Sequence, residues 1–306
     1  MSKWIEGKVV NKKLWTKELY SLQIDANLEP FRAGQFGRLA LEINGAIVGR
    51  SYSFVNAPGE RPYEFYSIMV SEGRLSRRLH DLNPGDKVLL APKGTGFFTL
   101  ADVPQNEHLW LLSTGTALGP FLSICKTEEP WQRFKKLVLV HAVRYSHELT
   151  YQETIEPLKQ RHPDQFQFIP FISREDTAFA IKGRVPAAIQ DGRLETRAGI
   201  AISSEHSQVM ICGNPDMVND TRAVLEGRGL KLNKRKKPGQ ISVENDANRK
   251  KALFLNMKNI INDDVPYIGL YFYNNAVLYN KKIRGDLNPN LWNKYFDITK
   301  WYIPLR

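Results

Sequence analysis

The chain has 306 residues, 42% hydrophobic and 25% charged, with a net charge of +11; this is the balance of a folded globular protein with room for two or three domains, and it excludes a largely disordered or collagen-like chain. No window holds 18 uninterrupted apolar residues, which argues against a membrane span, and the opening Met1-Ser2-Lys3-Trp4-Ile5-Glu6-Gly7-Lys8 has no apolar core of signal-peptide length, so a cytoplasmic location is expected. Two cysteines, Cys125 and Cys212, are too few for a disulfide framework or a four-cysteine iron–sulfur site, and six histidines without ligand spacing predict no metal centre, so any redox work needs an organic cofactor.

Residues 1–100 read as a β-rich unit. Short apolar runs at 8–10, 19–24, 36–41, 65–70 and 86–90 are separated by Gly, Pro and Asn, with turn signals at Asn44-Gly45 and Pro84-Gly85-Asp86. Their length and even spacing predict a small barrel, interrupted by one helical stretch at 75–82. From about residue 103 the period changes. Buried runs at 108–113, 136–142, 166–172 and 208–213 alternate with helix-length stretches at 118–125, 151–161 and 216–227. That alternation predicts βαβ units and a parallel sheet with helices on both faces. Residues 246–306 differ again: they hold ten Asn and eleven aromatics in 61 positions, and 247–306 carry ten Lys+Arg against four Asp+Glu. The reading is a third segment of separate origin.

Five short constellations carry chemistry. Arg50-Ser51-Tyr52-Ser53 ends the first half of the barrel; on an extended strand Arg50 and Tyr52 share a face, so a cation and an aromatic plane lie side by side, as a flavin dinucleotide needs. An ordinary surface strand remains open. Gly73-Arg74-Leu75-Ser76 precedes the short helix, where free N–H groups suit an anion and Ser76 suits the capping position; a plain capped helix is the alternative. Ser113 to Pro120 follows a buried strand and opens a helix, the switch point at which open α/β sheets bind nucleotides, although the G-x-G-x-x-G fingerprint is not met. Cys212-Gly213-Asn214-Pro215-Asp216-Met217 is another strand end before a helix; a lone Cys such as Cys212 is most often a small buried hydrophobe. Ser173-Arg174 with Arg184 could receive a phosphate, or be solvated surface. His141, at the end of a buried strand, reads as structural, and the five basic residues of 231–237 read as a solvated face or as part of a docking surface.

In their order, these motifs, with His141-Ala142-Val143-Arg144-Tyr145 and the near-terminal Pro238 to Glu244, resemble the bacterial ferredoxin/flavodoxin–NADP+ reductases of the ferredoxin–NADP+ reductase family, over residues 1 to about 245. The resemblance implies a β-barrel FAD-binding domain (1–100), an α/β parallel-sheet NADP-binding domain (101–245) and an unrelated extension (246–306). It implies a monomeric flavoenzyme moving electrons between NADPH and an acidic ferredoxin or flavodoxin, with no nucleic-acid or membrane partner. Arg50 would hold the FAD pyrophosphate, with Ser51 also in the cofactor site, Tyr52 would stack on the isoalloxazine and Ser53 would lie near N5. Tyr66, Ser67, Ile68 and Met69 would line the adenosine side, and Arg74, Leu75 and Ser76 would cap the pyrophosphate. Thr116 would sit between flavin and nicotinamide, with Cys212 near the hydride path. Val143, Arg144, Ser173, Arg174 and Arg184 would hold the 2′-phosphate end of NADP(H), and Asn214, Pro215, Asp216 and Asp220 the rest of that nucleotide.

Two alternatives stand beside this reading: a general NAD(P)H–flavin or oxygenase-component reductase, and a catalytically impaired fusion protein. The second is raised by the tail. Family members of this type usually end on an aromatic that closes over FAD, whereas Asp246-Ala247 stand here. Within the tail, 265–272 and 298–303 resemble the C-terminal end of extracellular peptide-binding proteins of transporters.

Overall fold

The computed structural model describes residues 4–234 and 236–244, together with the backbone of two short strands at 270–272 and 276–278. Six strands form the first sheet: β1 (Ile5–Leu14), β2 (Leu19–Asp25), β3 (Phe36–Ile43), β4 (Ala46–Ser53), β5 (Tyr63–Ile68) and β6 (Lys87–Leu90), with helix α1 (Ser76–Asp81) between the last two. The pairing is antiparallel in the order β4-β3-β6-β1-β2-β5. A bridge between Phe54 and Phe65 joins the two outer strands and closes the sheet into the expected barrel. Inward-facing Val9, Leu22, Ile24, Leu39, Phe54, Phe65 and Leu90 fill it. At Asn44-Gly45 the chain turns back in a two-residue loop, with Ile43 opposite Ala46 and φ of 53° and 74°, the paired positive angles of a type I′ hairpin. That hairpin sets the register: Phe36 faces Ser53, Gly37 faces Tyr52 and Leu39 faces Arg50.

The second sheet is wholly parallel. Its elements run β7 (His108–Thr114), α2 (Leu118–Cys125), α3 (Glu129–Arg133), β8 (Lys136–Val143), α4 (Gln152–Arg161), β9 (Phe166–Ile172), β10 (Ile181–Lys182), α5 (Val185–Gln190), α6 (Arg193–Ala198), β11 (Ser207–Cys212), α7 (Pro215–Gly227) and β12 (Ile241–Val243). The spatial order is β10-β9-β8-β7-β11-β12. The chain therefore builds outward from β7, then returns to lay β11 on its other side. Helices α2 and α4 pack on one face, α5, α6 and α7 on the other. Every residue of α2 is buried, because its inner face meets the sheet and its outer face meets the barrel: Leu19, Val55 and Tyr66 belong to the same core cluster as Leu118, Phe121 and Leu122. The short α3, α5, α6 and β10 are not foreseen by periodicity, since two to six residues are too few to display it.

By compactness the chain divides into Met1–Glu244 and Asn245–Arg306. In the second unit the described backbone is an antiparallel pair, β13 (Leu270–Phe272) with β14 (Ala276–Leu278), Leu270 opposite Leu278. Apart from 270–272, the tail segments singled out by resemblance lie outside the described residues.

Candidate functional site

A cavity of about 570 Å³ opens at the carboxyl ends of β7, β8 and β11, where the strand order reverses. This is the switch point, because the loops leaving β7 and β11 turn to opposite faces of the sheet and leave a crevice between them. Thr114 closes its floor: the Oγ1 accepts the N–H of Asn214 at 2.8 Å, tying the end of β7 to the start of α7. Gly213 makes that contact feasible. Its φ is +146°, and a β-carbon there would lie 2.1 Å from Thr114 Oγ1. Asn214 caps α7, its side chain accepting the Asp216 N–H at 2.8 Å. Pro215 occupies the first helical turn, where its missing N–H costs nothing. Among the expected nucleotide residues, Thr116, Val143, Arg144, Ser173, Arg174, Arg184, Asn214, Asp216 and Asp220 all line this one cavity, whereas Pro215 does not.

The wall opposite α7 is built from the loops after β8 and β9, zipped together. Ser173 donates from both N–H and Oγ to the Val143 carbonyl, at 3.1 and 3.2 Å, and the Arg174 N–H donates to the Arg144 carbonyl at 2.9 Å. Three arginines thus converge on the cavity. Of these three, only Arg144 is held in ion pairs with described residues, to Glu148 at 2.7 Å and Glu18 at 3.8 Å. Leu19 and Ile68 bring the barrel to the same cavity.

The second group of expected residues lies on the barrel. Arg50 is exposed and Tyr52 and Ser53 are half-buried on β4. Burial pushes the Tyr52 hydroxyl up to about 12 against a small opposing pull from Arg50, so it stays protonated at neutral pH. Ser53 is near the nucleotide side too: a β-carbon at Gly119 of α2 would lie 4.0 Å from the Ser53 Cβ. Arg74 joins Arg77 and Arg78 around a second, smaller recess of about 260 Å³ beside the Asn44 turn. Ser76 does not cap α1. Leu75 holds the capping position, and the Ser76 Oγ instead accepts the Val70 N–H at 3.2 Å, because the chain folds back over the helix start. Tyr66 and Ser67 are buried; the Tyr66 hydroxyl accepts from Thr150 Oγ1 at 3.0 Å, committing that side chain to the contact between the two sheets.

Two buried groups sit behind the cavity. His141 pairs its Nε2 with the Gly115 carbonyl at 3.0 Å. A carbonyl only accepts, so the proton is on Nε2, and burial lowers the ring's pKa to about 4. Cys212 is buried, and its Sγ donates to Glu244 Oε2 at 2.5 Å. Burial first and the Glu244 charge second push the thiol well above its ordinary range, which keeps the proton on sulfur. Glu244 and Glu148 are the residues that motif reading missed. Glu148 had a detectable signal, an acid four residues after Arg144. Glu244 ended the near-terminal Pro238 to Glu244 stretch, but its contact with Cys212 arises only through the pairing of β11 with β12.

Residues 111–223 match the model of the oxidoreductase NAD-binding domain. A flavodoxin/ferredoxin–NADP reductase of Buchnera aphidicola is 42% identical over 247 residues, covering 80% of this chain and 99% of its own. That of Escherichia coli is 46% identical over 222 residues, covering 72% and 90%. Among solved structures, a ferredoxin NADP+ reductase from Neisseria gonorrhoeae with bound FAD and NADP superimposes with a TM-score of 0.76 at 31% identity, covering 80% of this chain and 99% of that one.

Proposed function

The chain belongs to the flavodoxin/ferredoxin–NADP reductase family, and from that premise we propose how its residues divide the work. It is an FAD-dependent oxidoreductase that carries electrons between NADPH and ferredoxin or flavodoxin. Held by the barrel residues around Arg50 and Arg74, bound FAD would supply the capacity to accept a hydride from NADPH and to release electrons one at a time. The donor set fits both nucleotides. Arginines around a switch-point cavity suit the phosphates of NADP(H), and the cationic recess by Arg74, with Arg50 on β4, suits a pyrophosphate.

The observation that carries the reading is the convergence of Arg144, Ser173, Arg174 and Arg184 on one cavity. Ser173, Arg174 and Arg184 bind the 2′-phosphate, with Val143 and Arg144 beside it. Asn214, Asp216 and Asp220 orient the rest of the nucleotide, and Thr116 separates the two rings. On the barrel, Arg50 and Ser51 hold the FAD pyrophosphate with Arg74, Leu75 and Ser76, Tyr52 offers its plane to the isoalloxazine, and Ser53 lies at the reacting edge. Tyr66 and Ser67 serve the adenosine side through their backbone, their side chains being buried; Ile68 and Met69 continue that edge. Cys212, supported by Glu244, keeps a proton on Sγ behind the nicotinamide position.

The domain division at about residue 100 and at 245, a monomeric state, a cytoplasmic location and an acidic surface on the carrier belong to the same proposal. Residues 246–306 are read as an appendage of separate origin on their composition alone. The test is direct. Purified protein should show flavin absorption bands and reduce flavodoxin or ferredoxin with NADPH. A chain that neither binds added FAD nor turns over NADPH overturns the assignment and favours an impaired fusion protein. Reduction of free flavin with no reduction of either carrier favours a general flavin reductase.

A further inference from the structure

Glu148 is an acidic residue only 7% exposed, on the wall of the cavity. A buried carboxylate must be fully paired, and this one is. Its Oε1 accepts from Arg144 Nε at 3.0 Å and Nη2 at 2.7 Å, while Oε2 accepts the N–H groups of Arg144 at 2.8 Å and Tyr145 at 3.4 Å. One carboxylate therefore clamps both the backbone and the guanidinium of the same residue. The Arg144 side chain is still half-exposed to the cavity. A guanidinium has five N–H donors; Nη1 has no partner among the described residues, so the edge turned from Glu148 is left for a ligand. The carbonyl of Arg144 also receives the Arg174 N–H, so the clamp fixes the neighbour of a second cavity arginine.

We propose that Glu148 is a positioning residue for coenzyme selection: it holds the Arg144 guanidinium in a fixed pose on the cavity wall, ready for a phosphate oxyanion of NADP(H). The proposal rests on reading this cavity as the NADP(H) site. Two effects oppose each other. A free arginine loses side-chain freedom when it grips a phosphate, and a clamped one has already lost it. Against that, the negative charges of Glu148 and of Glu18 weaken the local positive field. Glu148 is buried and takes Arg144 Nε and Nη2 together on Oε1 while its Oε2 holds the Arg144 backbone N–H, whereas Glu18 is half-exposed and 3.8 Å away. Orientation therefore outweighs field for the Glu148 pair.

The experiment is a double-mutant cycle on the full chain loaded with FAD, measuring KM and kcat for NADPH and NADH with ferricyanide as acceptor. Arg144→Ala should raise the NADPH KM about tenfold, and Glu148→Gln about three- to tenfold, the loss of one charge-assisted contact or of its alignment. The NADH KM should move less than about twofold in each. Since Glu148 acts through Arg144, the double variant should be no worse than Arg144→Ala alone. Glu148→Asp keeps the charge and shortens the reach, so it should fall between wild type and Glu148→Gln and provides the readout if the amide variant fails to fold. The inference is overturned if Glu148→Gln leaves or lowers the NADPH KM, raises both coenzymes equally, or adds its full factor to Arg144→Ala. If wild type shows no preference for NADPH and neither Arg144→Ala nor Arg174→Ala alters its KM, the cavity reading itself fails, whatever Glu148 does.

Discussion

Arg174 carries the sharpest residue-scale consequence. It lines the cavity and has no ion pair among the described residues, so its whole guanidinium is open to a phosphate, whereas one edge of Arg144 is already taken by Glu148. A charge-assisted phosphate contact is worth about 1.5–3 kcal/mol, so Arg174→Ala should raise the NADPH KM roughly ten- to a hundredfold. NADH lacks the 2′-phosphate and should barely respond; equal loss with both coenzymes removes Arg174 from that role. His141 gives a pH signature. Its pKa falls from 6.5 in the open to about 4 in the fold because burial penalises the imidazolium. A depressed folded pKa means stability that is fully present above 6.5 and lost as pH falls toward 4, roughly 3 kcal/mol in all. His141→Gln cannot take up that proton. Its urea midpoint should therefore fall less steeply than wild type between pH 6.5 and 4, and parallel profiles would show that the imidazole is not excluded from charge.

The strand-to-helix joints are the elements on which the site depends. Between β11 and α7, Gly213 holds a backbone angle that a side chain rarely adopts, and Thr114 Oγ1 fills the space where its β-carbon would go. Gly213→Ala should therefore cost about 1–3 kcal/mol of stability and break the Thr114–Asn214 hydrogen bond that joins the two cavity strands. Thr114→Ala removes the closest contact but neither the angle nor the 3.0 Å approach to the Thr114 backbone nitrogen, so the double variant should recover part of the loss. Thermal melts of the two single variants and the double decide this: no recovery would place the whole cost in the backbone. The same joint explains why helix α7 starts where it does, since Asn214 caps it and Pro215 fits its first turn.

At the scale of the molecule, the net charge of +11 bears on the carrier. If a positive surface steers an acidic partner, association should slow as salt shortens the Debye length from about 10 Å at 0.1 M to about 3 Å at 1 M. Ferricyanide-independent assays with a small uncharged acceptor should change far less; a flat salt response with both ferredoxin and flavodoxin argues against charged docking. The extension gives a second whole-chain test. Every residue assigned to FAD or NADP precedes Asn245, so a chain stopped there should retain flavin. An aromatic stacked on a ring adds about 0.5–1.5 kcal/mol beyond its buried area; ending the chain with Asp246→Tyr and Ala247→Trp should therefore slow FAD dissociation. If the full chain instead holds FAD most tightly of the three, residues 246–306 cover the flavin and are no appendage.

The sequence by itself determined the architecture of residues 4–244, because barrel and parallel sheet announce themselves through different hydrophobic periods. Short apolar runs separated by turn signals such as Asn44-Gly45 specify the barrel strands, and apolar runs such as 108–113 and 208–213, alternating with helix-length stretches, specify buried parallel strands. It also singled out Ser173-Arg174, Arg184 and the Asn214 joint, since strand ends before helices are local features, while Arg144 entered through the family resemblance. What only the tertiary structure decided depends on residues distant in sequence. The bond from Cys212 to Glu244 exists because β12 pairs with β11. Tyr66 is buried because Thr150 and Tyr151 close over it, and Ser76 gives up its capping role because Val70 folds back to it. Even Glu148, four residues from Arg144, becomes a clamp only when burial removes the water that would otherwise compete for both charges.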